Sequence, residues 1–255
     1  MELSMKLAGV PFRARVLYPE TKKQCAGYLT EEPPAFTVEI DEAAIRRERR
    51  LIRDCEMGAG QEPYPYTDAE LESGALYRET AERLSRYGTV LVHGSAVGLD
   101  GESYLFAAPS GTGKSTHTRL WREVFGSRAV MVNDDKPLLR CTAGGVFVCG
   151  SPWNGKHNIG GNVTLPLRAV CFLHRGEKNR IEPLRGGEAF LALLRSTYRS
   201  QDAETDRRIL ETVEALCRQL AFYRLYCNME PEAAVVAHRG MSRRPFSEQR
   251  KGALP

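Results

Sequence analysis

One stretch, Ala107-Ala108-Pro109-Ser110-Gly111-Thr112-Gly113-Lys114-Ser115-Thr116, constrains this chain more than any other. It follows the apolar run Tyr104-Leu105-Phe106 and leads into His117-Thr118-Arg119-Leu120-Trp121, so the pattern predicts strand, glycine-rich turn and helix. In that frame Gly111 and Gly113 let backbone N–H groups turn inward at the positive end of a helix dipole, a setting that binds phosphate oxygens. Lys114 supplies a point charge for the outer phosphates, and the Ser115 hydroxyl suits Mg²⁺. Ala108 stands where the usual phosphate-loop pattern has its first glycine. The bland alternative is an ordinary tight turn before a helix.

A chain of 255 residues can bury a substantial core, as one domain or as one domain with a small added lobe. With 36 basic against 32 acidic residues there is no charge excess to favour nucleic acid. The seven cysteines are scattered, with no Cys-x-x-Cys pair, which predicts reduced thiols and a cytoplasmic protein, not a disulfide framework or a zinc site. No apolar run approaches membrane-spanning length, and the first residues do not read as a signal peptide. No membrane partner is expected, and the sequence leaves a homo-oligomer open.

Along the chain, residues 15–18 and 36–40 are β-like, with Pro33-Pro34 breaking between them. The basic run 45–53 reads as a solvated helix face, the alternative being a surface for an acidic partner. Thr67-Asp68-Ala69-Glu70 fits a capping box opening a helix that stops before Gly88. From Thr89 the texture changes. Strands are expected at 89–93, before the glycine-rich turn, and at 129–132, the last one short and buried. A hairpin is expected over 138–149, and a strand over 168–174 pairing with 180–184 across the turn at Gly176. Two helices in 187–221, a strand at 222–227 and a helix at 231–238 complete the reading, with a frayed tail from 242. The fold class is therefore α/β: a small mixed α+β lobe over 1–88, then a phosphate-loop domain over 89–241.

The second motif is Asp134-Asp135, closing the apolar run 129–132. A right-handed strand–helix–strand crossover returns its second strand beside the first or nearly so, bringing both carboxylates to the sheet edge that carries the glycine-rich turn. Phosphoryl transfer needs a metal ligand there and a carboxylate that can take a proton. Neighbouring residues at a strand end point different ways, so one aspartate can serve each need. Asn133-Asp134-Asp135 also reads as a simple turn. His93, in Val92-His93-Gly94-Ser95-Ala96, is structural on base rates but lies just upstream of the turn.

His-Gly-Ser-Ala, Ser-Gly-Thr-Gly-Lys-Ser and Asn-Asp-Asp, in this order and at this spacing, resemble the catalytic domain of HPr kinase/phosphorylase. The set is also similar to the nucleotide-binding core of ATP-dependent phosphoenolpyruvate carboxykinase. The resemblance covers residues 89–175, and more loosely to about 240. It implies ATP as the nucleotide and Mg²⁺ as the metal. Ser110, Gly111, Thr112, Gly113, Lys114, Ser115 and Thr116 would hold the phosphates, with Ser115 and Asp134 on the metal. Asp135 would be the acid/base and His93 a group near the reacting phosphate, with Lys114 completing the catalytic set. Which aspartate does which is left open. Thr116-His117 replaces the acidic residue that often follows the loop in HPr kinases, and the loop carrying Trp153 and Lys156 is unlike theirs, so the resemblance does not extend to HPr as acceptor. Residues 1–88 lack a recognisable oxaloacetate-binding portion, so decarboxylation is not expected. The likeness is nearer to small HPr-kinase-related proteins, some of which phosphorylate serine on a modified peptide precursor.

Gly150 to Asn158 is the candidate acceptor side, because a Gly/Pro-rich loop carrying Trp153, Asn154, Lys156 and His157 could shape a pocket and neutralise phosphate. A surface turn with a packed tryptophan is the equal alternative. Arg175 and Arg180, flanking a strand end, are candidates to reach the phosphoryl group. The expected activity is transfer of the ATP γ-phosphoryl group to a hydroxyl, serine of a peptide or protein. The rivals are a small-molecule kinase and a non-catalytic ATP-binding regulator.

Overall fold

In the computed structural model of the protein, residues 1–242 are described; the tail expected from position 242 lies outside them apart from Ser242 itself. The chain divides into two compact units, Met1–Tyr87 and Gly88–Pro255. In the first, β1 (Glu2–Leu7) and β2 (Val10–Arg15) form an antiparallel hairpin, and β3 (Thr37–Glu39) joins β2 in parallel. Its turn, Ala8-Gly9, has φ of 48° and 74°, the left-handed pair that a two-residue hairpin requires. The strand expected at 15–18 is not formed. The ladder stops at Arg15, because the N–H groups of Leu17 and Tyr18 donate to the fully buried Glu72 carboxylate and Pro19 opens α1 (Pro19–Cys25).

The basic run lies on α2 (Glu42–Gly58), capped by Asp41, with Arg46 and Arg53 in solvent. The exception within it is Glu48, buried and bonded through both oxygens to Arg78 Nε at 2.9 and 2.8 Å. A Cβ at Gly74 would come within 2.9 Å of that carboxylate, so a glycine faces it. Arg78 belongs to α3 (Asp68–Leu84), which opens with the Thr67–Glu70 capping box.

The second unit is built on a mixed nine-stranded sheet. In chain order its elements are β4 (Thr89–Leu91), β5 (Ser95–Leu99), β6 (Glu102–Ala107), α4 (Lys114–Phe125), β7 (Ala129–Asn133), β8 (Leu138–Thr142), β9 (Gly145–Cys149), β10 (Thr164–Arg175), β11 (Arg180–Leu184), α5 (Gly186–Ser196), α6 (Ala203–Gln219), β12 (Ala221–Cys227) and α7 (Glu232–Met241). The strands run β4-β8-β9-β10-β6-β5-β7, with β12 also on β10 and β11 outside β12. Long β10 is the spine: residues 164–166 pair antiparallel with β9, and the rest runs parallel to β6 and β12. Pro166, which has no N–H to give a ladder, sits where the partner changes.

Alternation along the central strands fills two cores. Tyr104 and Phe106 of β6, with Ala169, Cys171 and Leu173 of β10, pack with Trp121 of α4 and the alanines of α7. Leu105, Ala107, Val170 and Phe172 pack with Leu193 of α5 and Ile209, Val213 and Leu216 of α6. The result is a three-layer α/β arrangement.

Three expectations need correction. The strand expected at 89–93 ends at Leu91, with Val92 only in an isolated bridge to Thr197. β7 is an edge strand rather than a buried one: Val130 is 47% exposed, and only Val132 and Asn133 are buried. The strands at 168–174 and 180–184 do not pair with each other, because β12 lies between them, parallel to β10 and antiparallel to β11. The Gly176 N–H bonds across to the Cys227 carbonyl at 3.0 Å, so the turn that should have closed a hairpin straddles the end of β12.

Candidate functional site

β6 ends at Ala107 and α4 begins at Lys114, and the six residues between them turn sharply. Gly111 and Gly113 have φ of 75° and 117°, a region a side chain would strain. Lys114, Ser115 and Thr116 open the helix, so their N–H groups have no intrahelical partner and point out of its positive end. Ala108 is buried in the core cluster that includes Trp121, and its backbone is not in the left-handed region, so a methyl group is accommodated there. Its carbonyl accepts from Lys114 Nζ at 2.9 Å, with the Pro109 carbonyl at 3.4 Å. Burial lowers the Lys114 pKa, with Asp135 opposing that shift. Ser110, Gly111 and Ser115 are exposed, and Thr112, Gly113 and Thr116 are half-buried.

β6 and β7 are parallel, with only β5 between them, so Asn133, Asp134 and Asp135 emerge at the edge where the turn begins. Asp134 is buried, and its Oδ1 accepts from Ser95 Oγ at 2.6 Å. Ser95 Oγ shares a 2.9 Å bond with Thr118 Oγ1, linking the carboxylate through β5 to the first turns of α4. Asn133 makes the turn: its Oδ1 accepts from the N–H groups of Asp135 and Lys136 at 2.8 and 2.7 Å.

Asp135 is half-buried and meets two bases. Lys136 Nζ donates to its Oδ1 at 2.9 Å, and His93 Nε2 lies 3.4 Å from the same oxygen. Burial, then Lys136 and Lys114, push the His93 pKa down to about 4 against the pull of Asp135, so the imidazole is neutral at pH 7 and the contact is not an ion pair there. The His93 N–H donates to the Ser196 carbonyl at 2.7 Å, and the Gly94 N–H to the Asp135 carbonyl at 3.0 Å. A Cβ at Gly94 would lie 2.8 Å from Leu105 Cδ1 and 3.0 Å from the Phe106 carbonyl, which explains the glycine after His93.

The loop over 150–158 reaches this cluster by its backbone. Gly155, at φ 67°, would carry a Cβ 3.1 Å from that of Asp135. Trp153 and Asn154 are buried, and Asn154 Oδ1 accepts from Asn133 Nδ2 at 2.8 Å, so both residues hold the loop in place. Lys156 and His157 are exposed. Arg180, at the start of β11, is engaged with Glu182 and stacked 4.6 Å from the centre of the Tyr226 ring. Arg175, at the end of β10, reaches the turn, its Nη2 donating to the Gly111 carbonyl at 2.7 Å.

Lys136 and Gly155 were missed in the sequence, although Lys136 adjoins the Asp-Asp pair. A cleft of about 670 Å³ lies on one side of the turn, against Gly111, Thr112, Gly113, Thr116, His117 and Arg175. Another of about 600 Å³ is lined by His93, Ala108 and Pro109.

No described helix is long and apolar enough to cross a membrane. No curated protein matches the sequence. Among solved structures, the Hpr(Ser) kinase/phosphatase from Coxiella burnetii aligns over 64% of this chain and 94% of that one, at 12% identity and a TM-score of 0.35. The family model described as SynChlorMet cassette protein ScmC matches residues 75–232, which take in the turn, the aspartate pair, His93 and β10 through β12. The chain belongs to the ScmC family.

Proposed function

We propose that this protein is an ATP-dependent kinase, of the HPr-kinase-like kind its motifs resemble, that transfers the γ-phosphoryl group to a hydroxyl, serine of a peptide or protein. One observation carries the reading. At a single sheet edge, a helix N-terminus with a buried lysine adjoins two aspartates, one of which touches both a neutral histidine and a second lysine.

The residues fit the groups the reaction needs. The N–H groups of Lys114, Ser115 and Thr116 with the Lys114 ammonium form an anion cradle. The Lys114 bonds to the loop's own carbonyls are ones a phosphate can take over. Ser115 and Asp134 offer the hard oxygen donors that suit Mg²⁺. That ion, when bound, supplies charge neutralisation between the phosphates.

In the transfer, a bond forms from the acceptor oxygen to phosphorus, the bond from phosphorus to the bridging oxygen breaks, and ADP leaves. Asp135 takes the hydroxyl proton. The Lys136 ammonium, 2.9 Å away, offsets the repulsion between that carboxylate and an anionic phosphoryl group. Neutral His93 can bond the acceptor hydroxyl without adding charge.

The test is transfer of labelled γ-phosphate from ATP with Mg²⁺ to a panel of serine peptides and small hydroxyl compounds. Label on peptides supports the reading. Label on a metabolite in preference to peptides makes the protein a small-molecule kinase. Nucleotide binding without turnover makes it a regulator.

A further inference from the structure

The 600 Å³ cleft touches the reacting centre at His93 and at Ala108-Pro109, where the turn begins. Its other wall is α5, which contributes Glu188, Leu191, Ala192 and Arg195. That spacing of three, one and three residues lays all four on one helical face. The volume is that of a small-molecule or side-chain pocket.

The charges in it are unequal. Arg195 is exposed and forms no ion pair among the described residues. Among the described residues Arg224 of β12 is held by long contacts, 3.5 Å to Glu182 and 3.6 Å to Glu188. The pKa of His174, also in the wall, is lowered by partial desolvation and by Arg224, against Glu182. The lining therefore carries two guanidinium groups and one carboxylate, Glu188, with Glu182 outside the lining also on Arg224. Arg195 is thus the guanidinium without an ion pair among the described residues, and beside it is an apolar wall that includes Leu191, 51% exposed. An unpaired guanidinium fork matches a carboxylate bidentately.

The end of α5 is also fixed to the chemistry, since the carbonyl of Ser196, the residue after Arg195, accepts the His93 N–H at 2.7 Å. A carboxylate on Arg195 would therefore stand in the same cleft that His93 lines.

We infer that this cleft is the acceptor site, and that the acceptor carries a carboxylate near its hydroxyl, bound by Arg195. The inference rests on the kinase reading for the identity of the occupant, and moves the acceptor from the 150–158 loop to α5. A free hydroxy acid and an acidic residue beside serine in a peptide present the same chemistry.

Calorimetric titration without nucleotide separates these sources. One arm compares L-serine with L-serinamide; the other compares a serine peptide flanked by glutamate with its glutamine counterpart. In one arm the wild type should prefer the acid by about tenfold or more, the worth of a charge-assisted hydrogen bond. Arg195→Ala should abolish the preference and Arg195→Lys should restore part of it, with ATP affinity unchanged in both. Circular dichroism checks that the variants fold. Equal binding of acid and amide in both arms, including no binding by either, overturns the inference, as does a preference that survives Arg195→Ala. Failure of the kinase reading is read separately, as no ATP binding with Mg²⁺ by a wild type that still prefers the acid.

Discussion

Ser95 Oγ donates a 2.6 Å hydrogen bond to Asp134 Oδ1, and the two residues are 0% and 8% exposed. A buried carboxylate that loses its donor bears the desolvation cost alone, on the order of 1–3 kcal/mol. Ser95→Ala should therefore lower stability in urea titration by about that amount. If Asp134 is the metal ligand, the variant should also bind ATP less well with Mg²⁺ and equally well without it.

Lys114→Ala addresses the anion cradle. A ligand at a hundred times its dissociation constant stabilises the native state by about 2.7 kcal/mol. Wild type should melt at a higher temperature with ATP and Mg²⁺, and the variant should lose the shift while remaining folded. A shift of equal size in the variant would remove phosphate binding from this turn.

Asp135→Asn should keep nucleotide affinity and lose about 10²-fold or more in transfer rate, the scale of general base catalysis. Lys136→Met should lower the rate more than it weakens ATP binding, because Nζ is bonded to Asp135 while only its charge reaches Lys114 at the turn. Transfer by Asp135→Asn at the wild-type rate would refute the acid/base assignment.

Gly155→Ala probes the wall beside Asp135. The backbone there has φ 67°, and a Cβ would stand 3.1 Å from Asp135 Cβ. Strain and displacement both act on the carboxylate, so transfer should fall while the melting shift with ATP persists. An unchanged rate would mean that Asp135 tolerates the displacement.

Acid should destabilise the protein in a defined direction. His117 is buried with Trp121 Nε1 donating to its Nε2 at 3.1 Å, and burial pushes its pKa down to about 3. Unfolded imidazole titrates near 6.5, so the unfolded state binds the proton first. The stabilisation is complete above about pH 6.5 and is lost as pH falls toward 3. His93 shifts the same way. His117→Gln should flatten the fall in unfolding free energy between pH 6.5 and 4 by ~1 kcal/mol or more.

Local chemistry made much of this fold legible. The capping box at Thr67, the hairpin over β8 and β9 and the strand–turn–helix around Lys114 are each specified by residues close in sequence. What was hidden depends on partners far away. Nothing near Gly176 announces that β12, more than forty positions later, takes the place beside β10. Nor does the sequence reveal that Glu72 ends β2, that Arg175 rather than Arg180 reaches Gly111, or that Ser196 meets His93. The glycine- and proline-rich loop left Trp153 and Asn154 open to two equal readings, an acceptor pocket or a turn with a packed tryptophan; packing and Asn133 turn both inward.

Asn133 has one further consequence. Its carbonyl oxygen holds the backbone of Asp135 and Lys136, while its amide nitrogen donates to Ser151 and to Asn154. The aspartate turn and the 150–158 loop are thereby riveted through this amide, and Ser151 Oγ adds a second tie by donating to the Lys136 carbonyl at 2.7 Å. The loop cannot swing open as a door without dragging the carboxylate with it, so on that flank the protein presents a fixed jamb, and traffic to Asp135 has to pass elsewhere.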